Sequence, residues 1–177
     1  MENKKFKVVT ALSNVDWVGR KVTGAHYGTI TIKEGTLVLK NDILTGGKFV
    51  VDTTSIKILD IAYPLTNAQF AGHLASDDFF ASAQYSGALF VITYAEASGN
   101  NSYAISGDLT IRGITHPVVF NAMLNLSDEV IIASGKMVVD RTLYGMKFRS
   151  GNFFKDLGDT LIYNDFDLDV SITAKVI

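Results

Sequence analysis

Gly107–Phe120 reads GDLTIRGITHPVVF, and it sets down a strand, a tight turn and a second strand in fourteen residues. Leu109 and Ile111 alternate with Asp108, Thr110 and Arg112, the period-two pattern of a strand with one buried face. Gly113 supplies the turn, and Pro117 falls where a new strand begins and a missing N–H is tolerated. The stretch is a corner between two strands of a sheet or barrel, and what its apolar side faces becomes the functional question.

Working outward, the same period yields strands at Asn14–Thr23, His26–Lys33, Thr36–Leu44, Lys48–Leu59, Ala88–Glu96, Ser102–Ile111, Pro117–Leu126, Val130–Asp140 and Asp165–Val176. That number suits an up-and-down antiparallel barrel. Between the fourth and fifth strands the pattern changes: Thr66 and Gln69 are spaced as a capping box, and Leu65 and Phe70 as a hydrophobic staple. One short helix is therefore predicted over about 67–76, with Phe70 and Leu74 on one face and directed at a barrel opening or side.

Parity assigns the walls. In the last strand Phe166, Leu168, Val170 and Ile172 point inward and Asp165, Asp167 and Asp169 outward. Val118, Phe120, Ala122, Leu124 and Leu126 form the inward set of Pro117–Leu126, and Val119 and Met123 the outward one. The inward sets of the two remaining strands are Tyr103, Ile105, Gly107, Leu109 and Ile111, and Ile131, Ala133, Gly135, Met137 and Val139. Small residues recur there. Gly107, Ala122, Ala133 and Gly135 either leave room down the barrel or let closed strands bend sharply, and parity does not choose between the two.

The chain of 177 residues is one domain, 1–177, able to bury a core without disulfides or metal. Hydrophobic residues make up 47% with 15 glycines and 2 prolines, and the mean hydropathy of +0.22 leaves apolar surface to spare for a ligand. A net charge of −2 argues against nucleic acid. Zero cysteines exclude thiol catalysis and cysteine-bound zinc. There is no apolar run of about 18 residues to span a membrane. The N-terminal MENKKFKVVTALSNVDW lacks a signal-peptide h-region, so the expected location is cytoplasmic, or periplasmic for a chain whose leader has been removed.

Catalytic signatures are missing. His26, His73 and His116 stand on separate elements, and neither a GxSxG elbow nor a phosphate-binding glycine loop occurs. Asp165-x-Asp167-x-Asp169 imitates a calcium loop but has Val170 where glycine is needed. Asp77-Asp78 suits a turn better than a carboxylate pair. Asp140-Arg141 and Arg149 flank an apolar YGMKF segment, placing charge at a barrel mouth or fixing a loop by an ion pair. Phe79-Phe80 and Phe153-Phe154 are aromatic pairs in connections, suited to plugging the barrel ends or touching a ligand at the mouth.

Taken together, GDLTIRGITHPVVF, HLASDDFF (73–80), DRTLYGMKFRSG (140–151) and LGDTLIYNDFDLDVSI (157–172) resemble the YceI-like family of polyisoprenoid-binding proteins. TGAHYGTITIKEG (23–35) and FVVDTTSIKILD (49–60) extend the likeness to most of the chain. The resemblance implies an all-β fold, an eight-stranded antiparallel lipocalin-like barrel with one helix, holding a long isoprenoid chain inside. The chain departs from the family pattern at His26, where an aromatic is more usual, and at Ser86 after Tyr85, where proline is common.

The expected function is thus a non-catalytic carrier of an isoprenoid or other long apolar lipid, a polyprenyl or quinone tail, with no cofactor required. At roughly 0.8 kcal/mol per buried CH₂, each isoprene unit contributes about 3–4 kcal/mol gross. Expected wall residues are Phe79, Phe80, Ile105, Gly107, Leu109 and Phe120. Ala122, Leu124, Ala133, Gly135 and Met137 continue the wall, with Phe148, Phe153, Phe154, Phe166 and Leu168. His73, Asp78, Arg141 and Arg149 are the head-group candidates. The alternatives are a barrel enzyme with His or Asp at its mouth, and a stress-related partner-binding protein with a filled barrel. Outward Val119 and Met123 add the expectation of a homodimer.

Overall fold

The computed structural model describes residues 2–177. Nine strands are present: β1 (Asn3–Val8), β2 (Asn14–Lys21), β3 (Gly24–Lys40), β4 (Ile43–Ile58), β5 (Gly87–Gly99), β6 (Ser102–Ile111), β7 (Ile114–Leu126), β8 (Val130–Asp140) and β9 (Ile162–Val176). A single α-helix, α1 (Pro64–Ala75), lies between β4 and β5. All pairings are antiparallel, in the order β3-β2-β9-β8-β7-β6-β5-β4, and the β3–β4 ladder closes the circle. β1 occupies the same place in the circle as β2, since both pair with β3 and with β9, at opposite ends of those strands. β1 and β2 are one stave interrupted by the 3₁₀ turn Thr10–Leu12, which makes the closed barrel eight-stranded.

The corner that opened the reading folds as expected. Ile111 pairs with Ile114 across Arg112 and Gly113, both at positive φ (54° and 71°), the geometry of a two-residue hairpin turn. Arg112 also clamps: its Nη1 donates to the carbonyls of Asp77 (2.8 Å) and Phe79 (2.9 Å), tying the segment after α1 to the β6–β7 corner.

Three expectations are corrected. β1 precedes the first predicted strand; Lys4, Lys5 and Lys7 mask its alternation, although Phe6 and Val8 are buried. The predicted strands His26–Lys33 and Thr36–Leu44 are one long strand, β3, and Leu44 belongs to β4 beyond a turn at Asn41–Asp42. Gly35, in the gap between those two predicted strands, lies within β3. There a Cβ would meet Phe49 at 2.7 Å and Val8 at 2.8 Å, so glycine admits neighbouring side chains rather than turning the chain.

The helix also begins earlier than predicted. Pro64 stands at its first position, where a missing N–H costs nothing, and Tyr63 caps it without a side-chain hydrogen bond. The Thr66–Gln69 capping box does not form, and Leu65 is 59% exposed rather than stapled. Asn67 fixes the first turn instead, donating its amide to the carbonyls of Ile58 and Ile61 at 2.9 Å each.

The interior is packed at one end and hollow at the other. At the end carrying the β3–β4, β5–β6 and β7–β8 turns, Phe6, Leu39, Leu44, Leu124, Ile131 and Ala174 are almost fully buried. The inward parity sets hold throughout β6, β7, β8 and β9. Asp167, on the outer face, is buried beneath Arg20 (2.8 Å) and Lys136 (3.5 Å), and the hydrogen bond from Arg20 holds its carboxyl below the ordinary value. β7 ladders with β8 only between Ala122–Leu126 and Ile131–Gly135. Beyond that the 3₁₀ turn Arg141–Tyr144 packs beside β7, with Tyr144 buried edge-on to His116 at 5.4 Å.

Candidate functional site: a hollow half-barrel

The hollow end holds a cavity of about 410 Å³, within the usual range of small-molecule sites. Its walls come from alternating positions of the strands: Val15 and Trp17 of β2, Ile30 of β3, Val51 of β4, Leu109 of β6 and Leu168 of β9. Phe70, His73 and Leu74 of α1 form one side, so the apolar helix face is spent on the cavity as well as on the core. Two polar groups in the wall are tied off. Thr53 donates its hydroxyl to the Tyr85 carbonyl (2.6 Å), and Trp17 donates Nε1–H to the Thr29 carbonyl (3.3 Å). Among the described residues no buried side-chain nitrogen or oxygen lacks a partner.

Of the expected wall residues, Phe79, Phe80, Leu109, Phe148, Phe166 and Leu168 line the cavity. Ile105, Gly107, Phe120, Ala122, Leu124, Ala133, Gly135 and Met137 do not. Gly107 and Gly135 face aromatic rings instead, and Met137 pairs with the lining residue Leu168 without itself reaching the cavity. A Cβ at Gly107 would collide with the Phe90 ring and come within 2.7 Å of the Val91 carbonyl oxygen, and one at Gly135 would meet Phe120 at 3.2 Å. Phe153 and Phe154 are each 49% exposed on the loop after Ser150 and reach neither cavity nor core. Lys147 Nζ lies 4.8 Å from the centre of the Phe153 ring.

The head-group candidates separate in the same way. His73 lines the cavity with its ring edge-on to Phe148 (4.6 Å) and Phe79 (5.0 Å), while Nε2 faces the Asp78 carboxylate at 2.9 Å. Asp78 itself stays outside. Arg149 sits at the rim in a left-handed conformation, its guanidinium 4.9 Å from the Phe148 ring centre. Arg141 lines the cavity and is only 4% exposed. Among the described residues it makes no ion pair. Instead it donates to the carbonyls of Met146 (2.6 Å), Tyr163 (3.0 Å) and Ile162 (3.1 Å), fastening the 141–149 segment to β9. Burial pulls its pKa below the ordinary arginine value, against the opposing charge of Asp140. Asp140 is occupied in capping the following turn through the N–H and hydroxyl of Thr142.

Sequence reading missed a polar pair on the opposite side of the mouth. Asp60 accepts from His26 Nδ1 (2.7 Å) and from the Tyr27 N–H (3.1 Å), while the His26 ring packs against Phe70 at 4.9 Å. The departure from the family pattern at His26 was the available signal. The cavity lining thus includes four cationic side chains, Arg20, Lys21, Arg141 and Arg149, against the carboxylates of Asp159 and Asp165. Arg20 is already matched by Asp167. Among the described residues no group of three or more His, Cys, Asp or Glu side chains is arranged to hold a metal ion, and no helix is long and apolar enough to cross a membrane.

A closed antiparallel barrel with one hollow, apolar end, a helix along its side and a mixed polar rim defines the lipocalin-like class of small barrels. Within that class the chain belongs to the YceI-like domain family, whose profile matches residues 6–174. Its fold is shared by Burkholderia cenocepacia BcnA, at a TM-score of 0.70 and 18% identity over 94% of this chain and 98% of that one. A polyisoprenoid binding domain from Saccharophagus degradans, implicated in plant cell wall breakdown, matches at 0.66 and 14% identity over 97% and 98% of the two chains. Among curated relatives, a UPF0312 protein of Pseudomonas fluorescens is 42% identical over 53 residues, a stretch covering 30% of this chain and 28% of that protein.

Proposed function

We propose that this protein is a non-catalytic binding protein that holds the apolar chain of an isoprenoid or similar lipid in the hollow half of its barrel, with the polar end at the rim. The observation that carries the reading is the cavity of about 410 Å³, walled mostly by aliphatic and aromatic side chains, with the Thr53 hydroxyl and Trp17 N–H in its wall already hydrogen-bonded. Burying CH₂ groups at about 0.8 kcal/mol each is the only large favourable term such a wall offers. The named ligand of the S. degradans domain supports the same class of cargo. Lipid extracted from natively purified protein and identified by mass spectrometry is the direct test. Trp17, the only tryptophan, lies in the wall and reports binding by its fluorescence. Recovery of no lipid, together with no fluorescence response to any prenyl or acyl chain, would sink the proposal.

A catalytic reading has one observation in its favour, the His26–Asp60 pair at the mouth, which resembles the base and orienter of a hydrolase. Among the described residues no hydroxyl is hydrogen-bonded to the His26 ring. The hydroxyls of Thr53 and Thr160 in the lining both donate to main-chain carbonyls, at 2.6 Å each. Turnover of a prenyl ester that disappears in His26→Ala would favour the enzyme. Val119 (71% exposed), Met123, Ile132 and Val138 make an apolar outer face on β7 and β8, and pairing of two copies across it belongs to the same proposal. Sedimentation of wild type against Val119→Lys tests that pairing.

A further inference from the structure

The hollow ends abruptly. Along β4 and β5 the cavity wall includes Val51 and Ala88, which pair with each other, and the next inward pair toward the closed end is Phe49 with Phe90. Neither ring lines the cavity. Phe90 stacks with Phe49 (centroids 6.4 Å) and tilts against Phe120 (5.8 Å), so three rings from β4, β5 and β7 pack together on the barrel's inner face, with Leu109 the strand partner of Phe90. Phe90 reaches that position because Gly107, two residues along β6 from Leu109, has no side chain. The ring covers its Cα so closely that even a methyl group would collide. The glycine that looked like empty space in the sequence is the seat of a plug.

We propose that Phe90, seated over Gly107, sets the depth of the site, so that this protein holds about three isoprene units and gains no further affinity from longer prenyl chains. The inference rests on the lipid-binding reading and specifies its ligand. A cavity of about 410 Å³ is at the small end of the range for small-molecule sites, room for a chain of about three five-carbon units. A fourth unit has no wall to lie against: inward it meets the Phe49–Phe90–Phe120 layer, and outward it leaves the mouth for water. Chain length beyond three units therefore adds no buried area and no affinity. Replacing Phe90 by a small residue joins the cavity to the space above Gly107 and lengthens the site.

The probes are prenyl alcohols of two, three, four and nine units, titrated against Trp17 fluorescence. In the wild type, affinity is expected to rise at least tenfold from two units to three, then to stay within threefold at four and nine. In Phe90→Ala, four units are expected to bind at least tenfold more tightly than three. Phe90→Leu, which keeps most of the apolar volume, shifts the plateau the same way and serves if the alanine variant fails to fold, with melting curves recorded for both. Wild-type affinity that keeps climbing from three units to nine overturns the plug while leaving lipid binding intact. An unchanged plateau in both variants overturns the role of Phe90. Failure of all four alcohols to bind overturns the lipid reading itself.

Discussion

Nδ1 of His26 lies 2.7 Å from Oδ2 of Asp60, joining the β2–β3 hairpin to the end of β4 at the edge of the cavity. A carboxylate only accepts, so the proton between them sits on Nδ1. Burial alone would raise the Asp60 pKa, but the hydrogen bonds from His26 and the Tyr27 N–H and the charge of His26 bring it below the ordinary value. A carboxyl with a lowered folded pKa adds stability above the unfolded value, about 3.9, and loses it as pH falls through the folded one.

Asp60→Asn is therefore expected to lower stability by about 1 kcal/mol near neutral pH, the modest amount due to a partly solvated pair. For a chain of this size that is a melting temperature about 2–4 °C lower. The gap between wild type and variant should begin to close near pH 4 and vanish at lower pH. Thermal melts between pH 7 and 2.5 check this, and a gap that persists at the acid end would remove Asp60 as its source.

Arg141 gives a larger effect of a different kind. Its guanidinium serves the carbonyls of Met146, Ile162 and Tyr163, and losing it leaves those acceptors without their donors in a largely buried place. Arg141→Ala should cost about 3 kcal/mol, and Arg141→Lys should recover only part of it, since an ammonium cannot reproduce the planar fork. Denaturant unfolding of the two variants measures the difference. Full recovery by lysine would show that the charge, rather than its geometry, holds the 141–149 segment.

The barrel was legible because its signal is local. Alternation along β6 to β9 fixes which side chains face inward, and the hairpin residues Arg112 and Gly113 fix where the chain turns. The position of the cavity was not legible, because it depends on which ring reaches across to which gap. Nothing in the sequence near Gly107 says that Phe90, seventeen residues earlier, covers it, and the empty half is instead framed by larger residues such as Trp17, Phe70 and Phe166. The head-group residues fared similarly. Arg141 was visible as a charge beside an apolar segment, but its three carbonyl partners come from chain segments brought together only by the fold.

Filling the cavity should separate binding from stability. Ala88 lies in the wall with Val51 as its strand partner, and Ala88→Phe would project a ring into the hollow rather than into packed atoms. Ligand affinity is expected to fall at least tenfold, while the melting temperature stays level or rises, as for other cavity-filling changes. The two readouts are Trp17 fluorescence titration and calorimetry. Undiminished binding would place the ligand elsewhere on the molecule.

Gly107→Ala makes the opposite experiment in the closed half. The added methyl meets the Phe90 ring on one side and the Val91 carbonyl on the other, and only the ring can move. Overpacking of this kind costs about 1–3 kcal/mol. If the ring is the main obstacle, Phe90→Leu introduced with Gly107→Ala should destabilise less than the sum of the single changes, with a coupling of about 1 kcal/mol or more. Equilibrium unfolding of the four proteins in the cycle provides the measurement. Additive losses would mean that the Val91 carbonyl, rather than the ring, excludes the methyl group, and that Phe90 is free to rearrange in the intact barrel.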